Sequence, residues 1–168
     1  MHNEIFVITN KTEEKFLRKK TVDFDFSKFT RKDITELLAR MKRIMRAANG
    51  IGLSANQIGL SFKVFVAEVP DPDAGTKFYA VFNPKIQKVS DEKVLFEEGC
   101  LSVPFKYGDV ERPEKIVVSG FDRNGKAVRI KAWGLLARVF QHEIDHLNGK
   151  LFIDRTKNVH SVEKQEES

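Results

Sequence analysis

The chain has 168 residues, of which 41% are hydrophobic and 32% charged, with a formal net charge of +5 and a single cysteine. That size and balance exclude a disordered chain and are expected to form one domain over residues 1–168, while a lone cysteine excludes an intramolecular disulfide. No apolar run reaches the roughly 18 residues of a membrane span, and residues 1–4 lack the basic-then-apolar start of a signal peptide, so the expected address is cytoplasmic. Lysines and arginines are spread along the chain, with one dense cluster at Arg18, Lys19 and Lys20. The charge therefore reads as a solvated surface, with no specific nucleic acid and no membrane among the expected partners.

In chain order, Glu4–Thr9 (EIFVIT) reads as a short strand, and the charged, aperiodic stretch Asn10–Asp25 as an extended surface segment. Thr30 and Asp33 are spaced as a capping box ahead of a helix whose apolar face is Ile34, Leu37, Leu38, Met41, Ile44, Met45 and Ala48. Asn49 and Gly50 are expected to stop it with left-handed residues. Phe62–Val69, Phe78–Phe82, Lys85–Val89, Lys93–Glu97 and Ile116–Phe121 read as strands, and Pro70–Gly75 as a turn. Asn124-Gly125 signals a hairpin into a strand carrying Val128, Ile130 and Ala132. A last helix is expected from about Gly134 to Asn148, burying Leu135, Leu136, Val139, Phe140 and Leu147 and closed by Gly149, before a polar, frayed tail over 156–168. Helix, then strands, then helix argues an α+β fold with mostly antiparallel sheets.

The residues with the most chemical content are His142-Glu143-Ile144-Asp145-His146. On a helix, positions i and i+4 share a face, so the two imidazoles can grip one metal ion. Glu143, next to the first ligand, can reach water beside the ion without being a ligand itself. A catalytic site of this kind takes three protein ligands and keeps one position open. No further histidine stands at the spacing of the metzincin proteases, and Cys100, preceded by Gly99, is the candidate third ligand. Two other readings stay open on these residues alone. A zinc peptidase would take its third ligand from a histidine or glutamate, and a structural zinc site in a basic RNA-binding module would need a fourth protein ligand. Gly50–Gln57 taken by itself reads as a helix cap and a turn.

Taken together, Gly50–Gln57 (GIGLSANQ), Glu98–Ser102 (EGCLS) and Gln141–His146 (QHEIDH) closely resemble, in this order, the three signature motifs of peptide deformylase. The likeness extends to Phe16–Lys19, Asn83-Pro84 and Leu147–Asp154. The resemblance implies mostly antiparallel sheets packed around a central C-terminal HExxH helix, with an N-terminal amphipathic helix. It implies an enzyme that removes the formyl group from the N-terminal formylmethionine of newly made polypeptides and releases formate. Cys100, His142 and His146 would hold one divalent ion, Fe2+ in cells, with Zn2+, Ni2+ or Co2+ as alternatives. A metal-bound water would attack the formyl carbon with Glu143 as general base and then acid, while Gln57 and the backbone N–H of Leu101 meet the oxyanion.

Ile51, Gly52, Phe96, Leu135 and Val139 would receive the methionine side chain. The peptide beyond methionine would pair with a strand edge near the Gly50 or Cys100 loop. Asp145 would pair with Arg112, and Glu98 would hydrogen-bond around the ligand loop. Partners would be N-formylmethionyl peptides of nascent chains, with transient proximity to the ribosome. The sequence departs from the family pattern at Ser54, where alanine is common, and at Tyr107, where many members carry a basic residue.

Overall fold

The computed structural model describes residues 4–163. Thr30 caps α2 (Arg31–Ala47) by the predicted box: its hydroxyl accepts from the Asp33 N–H at 3.1 Å, and the Asp33 carboxylate accepts from the Thr30 N–H at 2.8 Å. Two of the helix's orphan donors are thereby satisfied. The apolar stripe buries Ile34, Leu38, Met41, Ile44 and Met45. Asn49 alone takes the left-handed conformation, with φ 55°, at the end of the helix. Gly50 is needed for another reason, since a Cβ there would lie 2.8 Å from Leu101 Cδ1.

β1 (Gly52–Ser54), β2 (Val64–Asp71), β3 (Gly75–Val89), β6 (Lys115–Phe121) and β7 (Ala127–Trp133) form one sheet in the order β1-β2-β3-β6-β7. β4 (Lys93–Cys100), β5 (Val103–Pro113) and β8 (Val159–Ser161) form a second, in the order β4-β5-β8. Every ladder between these strands is antiparallel. β2 is apolar on both faces because both are covered: Val64 and Val66 join the core beneath α2, while Phe65, Ala67 and Val69 pack with Val139, Phe140 and Ile144 of α3 (Gly134–Leu147). α3 thus runs through the middle of the molecule, and the fold is the expected α+β arrangement of antiparallel sheets around it. No helix among the described residues is long and apolar enough to cross a membrane.

Several expectations are corrected. Glu4–Thr9 forms no strand and bends into a turn at Ile8–Thr9; its Phe6 N–H donates to the Gln57 carbonyl at 2.7 Å and its Ile8 N–H to the Ser102 carbonyl at 2.9 Å. The stretch Asn10–Asp25 contains α1 (Lys11–Leu17), capped by the Asn10 side chain, which accepts from the N–H groups of Thr12 and Glu13. Phe78–Phe82 and Lys85–Val89 are one strand, β3, which bends through register shifts around Asn83, a residue at φ 49°. β5 was not anticipated. The tail expected to fray from residue 156 pairs with β5 over Val159–Ser161, and its residues 164–168 lie outside the described part.

Thr30→Ala is expected to cost about 1 kcal/mol, the usual worth of an N-cap. Urea unfolding would read this as a lower midpoint with an unchanged slope.

Candidate metal centre

α3 carries His142 and His146 one turn apart, and their Nε2 atoms face each other at 3.2 Å. Cys100 ends β4, where the register with β5 shifts, and its Sγ lies 3.2 Å from His146 Nε2. The ligand atoms of Cys100, His142 and His146 all lie within 4.8 Å of one another, and among the described residues they are the one such cluster of histidine, cysteine and carboxylate groups. The donor chemistry fits a divalent ion. His142 turns Nδ1 to the Glu98 carboxylate at 2.8 Å, so its Nε2 is the atom left to coordinate. Burial and the facing His142 push His146 well below the ordinary imidazole value, which keeps its ring neutral as a ligand must be. Burial also opposes a charge on His142, but its bonds to Cys100 and Glu98 outweigh that and raise it. One thiolate and two imidazoles make the three-ligand set that leaves a fourth position open.

Behind the ligands lies a buried network of charges. Glu98 receives Arg112 Nε at 2.6 Å, Arg112 Nη2 at 2.9 Å and Arg138 Nη1 at 2.6 Å, besides His142. Burial disfavours the Glu98 carboxylate, yet Arg112 and His142 lower its pKa to about 2. The expected pair is present, with Arg112 Nη1 donating to Asp145 at 3.0 Å, and Arg155 adds a two-pronged contact at 2.5 and 2.7 Å. Sequence reasoning missed Arg138 and Arg155. Arg138 was findable, since it stands one helical turn before His142 and shares its face.

Glu143 is 4% exposed, and its Oε2 has no hydrogen-bond partner. Burial raises its pKa to about 7, against the opposing pull of His142. The carboxylate sits directly over Gly52, where a Cβ would come within 2.5 Å of Oε1. Gln57, in the short turn Ala55–Ile58, is oriented by Ser54: the Ser54 N–H and Oγ lie 3.0 and 3.1 Å from its amide oxygen. That leaves Gln57 Nε2 to point at Ser102 Oγ, 3.0 Å away, and at Cys100 Sγ, 3.8 Å away. Ser54 and Ser102 therefore set the amide's direction, a role that sequence reasoning did not assign to them.

A cleft of about 450 Å³ opens over these groups. Gly52, Leu101 and all four side chains expected around methionine, Ile51, Phe96, Leu135 and Val139, line it. Leu135 corrects its sequence assignment to the buried side of α3: it is 46% exposed, like Ile51 at 44% and Phe96 at 59%. Apolar side chains held open on a concave surface suit a ligand better than a core. Phe105, at φ 61°, also borders the cleft and had not been singled out for it, whereas Tyr107, noted in the sequence as a departure from the family pattern, borders it packed over Gly99.

The sequence model of a family described as polypeptide deformylase matches residues 5–162. The chain belongs to the peptide deformylase family. It is similar to peptide deformylase 2 of Gloeobacter violaceus, 43% identical over 126 residues that make up 75% of this chain and 67% of that one. A probable peptide deformylase from Synechococcus phage S-SSM7 superposes with a TM-score of 0.81 at 42% identity, covering 90% of this chain and 98% of the other. A class I type b peptide deformylase from Acinetobacter baumannii, solved with Met-Ala-Ser bound, superposes at 0.82 with 31% identity over 90% of this chain and 96% of that one. This deformylase is accordingly an enzyme that removes the N-formyl group from formylmethionyl peptides, within a metal-dependent family.

Arg112→Ala is expected to destabilise the fold by about 3 kcal/mol, the low end for breaking a buried pair, because Arg138 and Arg155 still serve the two carboxylates. Chemical unfolding of the metal-loaded protein measures it. Gly52→Ala is expected to displace Glu143 and cut turnover sharply while metal content, read by elemental analysis, stays at the parental level.

Proposed function

We propose that Cys100, His142 and His146 hold the divalent ion of this deformylase and that Glu143 moves the proton during deformylation. One observation carries the reading: a thiol and two imidazole nitrogens converge within 4.8 Å, beside a buried carboxylate with an unpartnered oxygen. When bound, such an ion supplies Lewis acidity and lowers the pKa of water toward about 7. Fe2+ is the ion proposed in cells, on the family resemblance, and the same donors accept Zn2+, Ni2+ or Co2+.

Glu143 takes a proton from the attacking water and returns it to the departing amine. A carboxyl near 7 suits both halves of that exchange at neutral pH. Gln57 Nε2 and the Leu101 N–H donate to the oxyanion that forms on the formyl group. A donor of this kind is typically worth about 3–4 kcal/mol in the transition state. Gln57 needs no reorientation to do so, because Ser54 already fixes its amide oxygen. Ile51, Phe96, Leu135 and Val139 receive the methionine side chain, and Gly52 leaves Glu143 room beside it. The peptide beyond methionine continues along a strand edge beside the Gly50 or Cys100 loop. The Met-Ala-Ser bound by the Acinetobacter baumannii enzyme supports a methionyl peptide as the released product. Nascent chains as substrates agree with a cytoplasmic enzyme working in transient proximity to ribosomes.

The test is formate release from N-formyl-Met-Ala-Ser by protein loaded anaerobically with Fe(II) or Ni(II). Glu143→Ala is expected to keep one equivalent of metal and lose on the order of 10³-fold in turnover. A metal-loaded Glu143→Ala protein with parental turnover would remove Glu143 from the chemistry.

A further inference from the structure

Cations that look dispersed in the sequence are gathered by the fold on one sheet face away from the catalytic cleft. Lys85 and Lys88 come from β3, Lys115 from β6, and Arg129 and Lys131 from β7. The register puts them on a common surface: Lys85 and Arg129 both pair with Ser119, Lys88 and Lys131 both pair with Val117, and Lys115 pairs with Trp133. All five are exposed. The segments that carry them, Lys85–Val89, Lys115–Phe121 and Ala127–Trp133, contain no aspartate or glutamate. None of the five takes part in an ion pair among the described residues.

At one end of this face stands Trp133, 67% exposed, beside a second cleft of about 310 Å³ that Lys88, Lys115 and Lys131 also line. An exposed indole at the edge of three adjoining basic segments has the two components by which sheets hold single-stranded nucleic acid. The cations follow the phosphates, and the ring stacks on an unpaired base. A lipid surface fits less well, since membrane-surface binding usually comes from an amphipathic helix with a broad apolar side, and this face is a sheet whose two exposed rings, Trp133 and the less exposed Phe121, are separated by its cations.

We propose that the outer face of β3, β6 and β7 is a docking surface for a single-stranded RNA segment, with Trp133 stacking on a base and Lys85, Lys88, Lys115, Arg129 and Lys131 contacting phosphates. RNA is the occupant because the enzyme acts on newly made polypeptides, which emerge from an RNA-rich assembly. The proposal is independent of which residues perform deformylation.

Trp133 is the sole tryptophan of the chain, so intrinsic fluorescence reports on this face directly. Metal-loaded protein titrated with an unstructured RNA of roughly 12 nucleotides is expected to show quenching of Trp133. The log of the binding constant is expected to fall with log salt at a slope of about −3.5, for five phosphate contacts on a single strand. Lys88→Glu/Lys131→Glu is expected to bind at least about tenfold more weakly and with a shallower slope, while releasing formate at the parental rate. The corresponding double glutamine variant should lie between the two. Absence of quenching and of salt-dependent binding at about 50 mM salt would overturn the proposal. So would parental affinity in the glutamate variant, equal or tighter binding of the matching DNA, or binding to anionic phospholipid vesicles without binding to RNA.

Discussion

Glu98 is a carboxylate buried between two elements that have no covalent reason to stay together. It belongs to β4, two residues before the thiol, while His142 and Arg138 belong to α3 and Arg112 to β5. Taking such charges out of water costs several kcal/mol for each ion, and the cost is tolerable only when every oxygen is satisfied. Both Glu98 oxygens are, and Asp145 repeats the arrangement through Arg112 and Arg155. The result is a fixed distance between the β4–β5 hairpin and α3. Cys100 can meet the two imidazoles because Glu98 has already been secured to the helix that carries them. The same carboxylate sets the orientation of the His142 ring, so position and orientation come from one group.

The Gly50–Gln57 segment works from the opposite side by close approach. Gly52 leaves space for the Glu143 carboxylate, and Gln57 turns its amide toward Cys100. Asn56 donates its side-chain N–H to the His146 carbonyl at 2.6 Å. Three residues of this loop therefore touch three different parts of the candidate centre. An ordinary turn would tolerate many residues here, whereas this one has contacts that leave no room for a Cβ at position 52.

What could be read from the sequence follows from how local each signal is. The capping box of α2 and the i, i+4 histidines are local patterns, and both hold. The apolar run of β2 was legible because both of its faces are buried. β5 was not, because Val103–Pro113 carries a glycine, prolines and several charges, and its strand character comes from pairing with β4 and β8. α1 was missed for a related reason: Phe16 and Leu17 are its only apolar residues, so it lacks a strong apolar stripe, and Asn10 followed by Glu13 and Glu14 was the signal available. Glu4–Thr9 had the composition of a strand, but no strand lies alongside to pair with it. At the candidate metal centre, residue types and spacing pointed to Cys100, His142 and His146, whose ligand atoms the fold brings within 4.8 Å of one another. Of the arginines behind them, Arg138 was legible one helical turn before His142, whereas Arg155 was hidden because it reaches Asp145 from beyond the end of α3.

The hydrogen bonds from Phe6 and Ile8 have a bearing on how the protein comes into being. They clasp the Gln57 turn and the Ser102 turn with one short piece of chain, so residues made before either turn hold parts of the finished site. Two of the three candidate ligand side chains lie on the last long helix, and the third stands on β4, which Glu98 ties to that helix. A growing polypeptide carries this clasp before either turn that it will hold has been made. The proposed metal site therefore comes together late, after residue 146 has been added, and a chain terminated before that residue lacks at least one of its three candidate ligands.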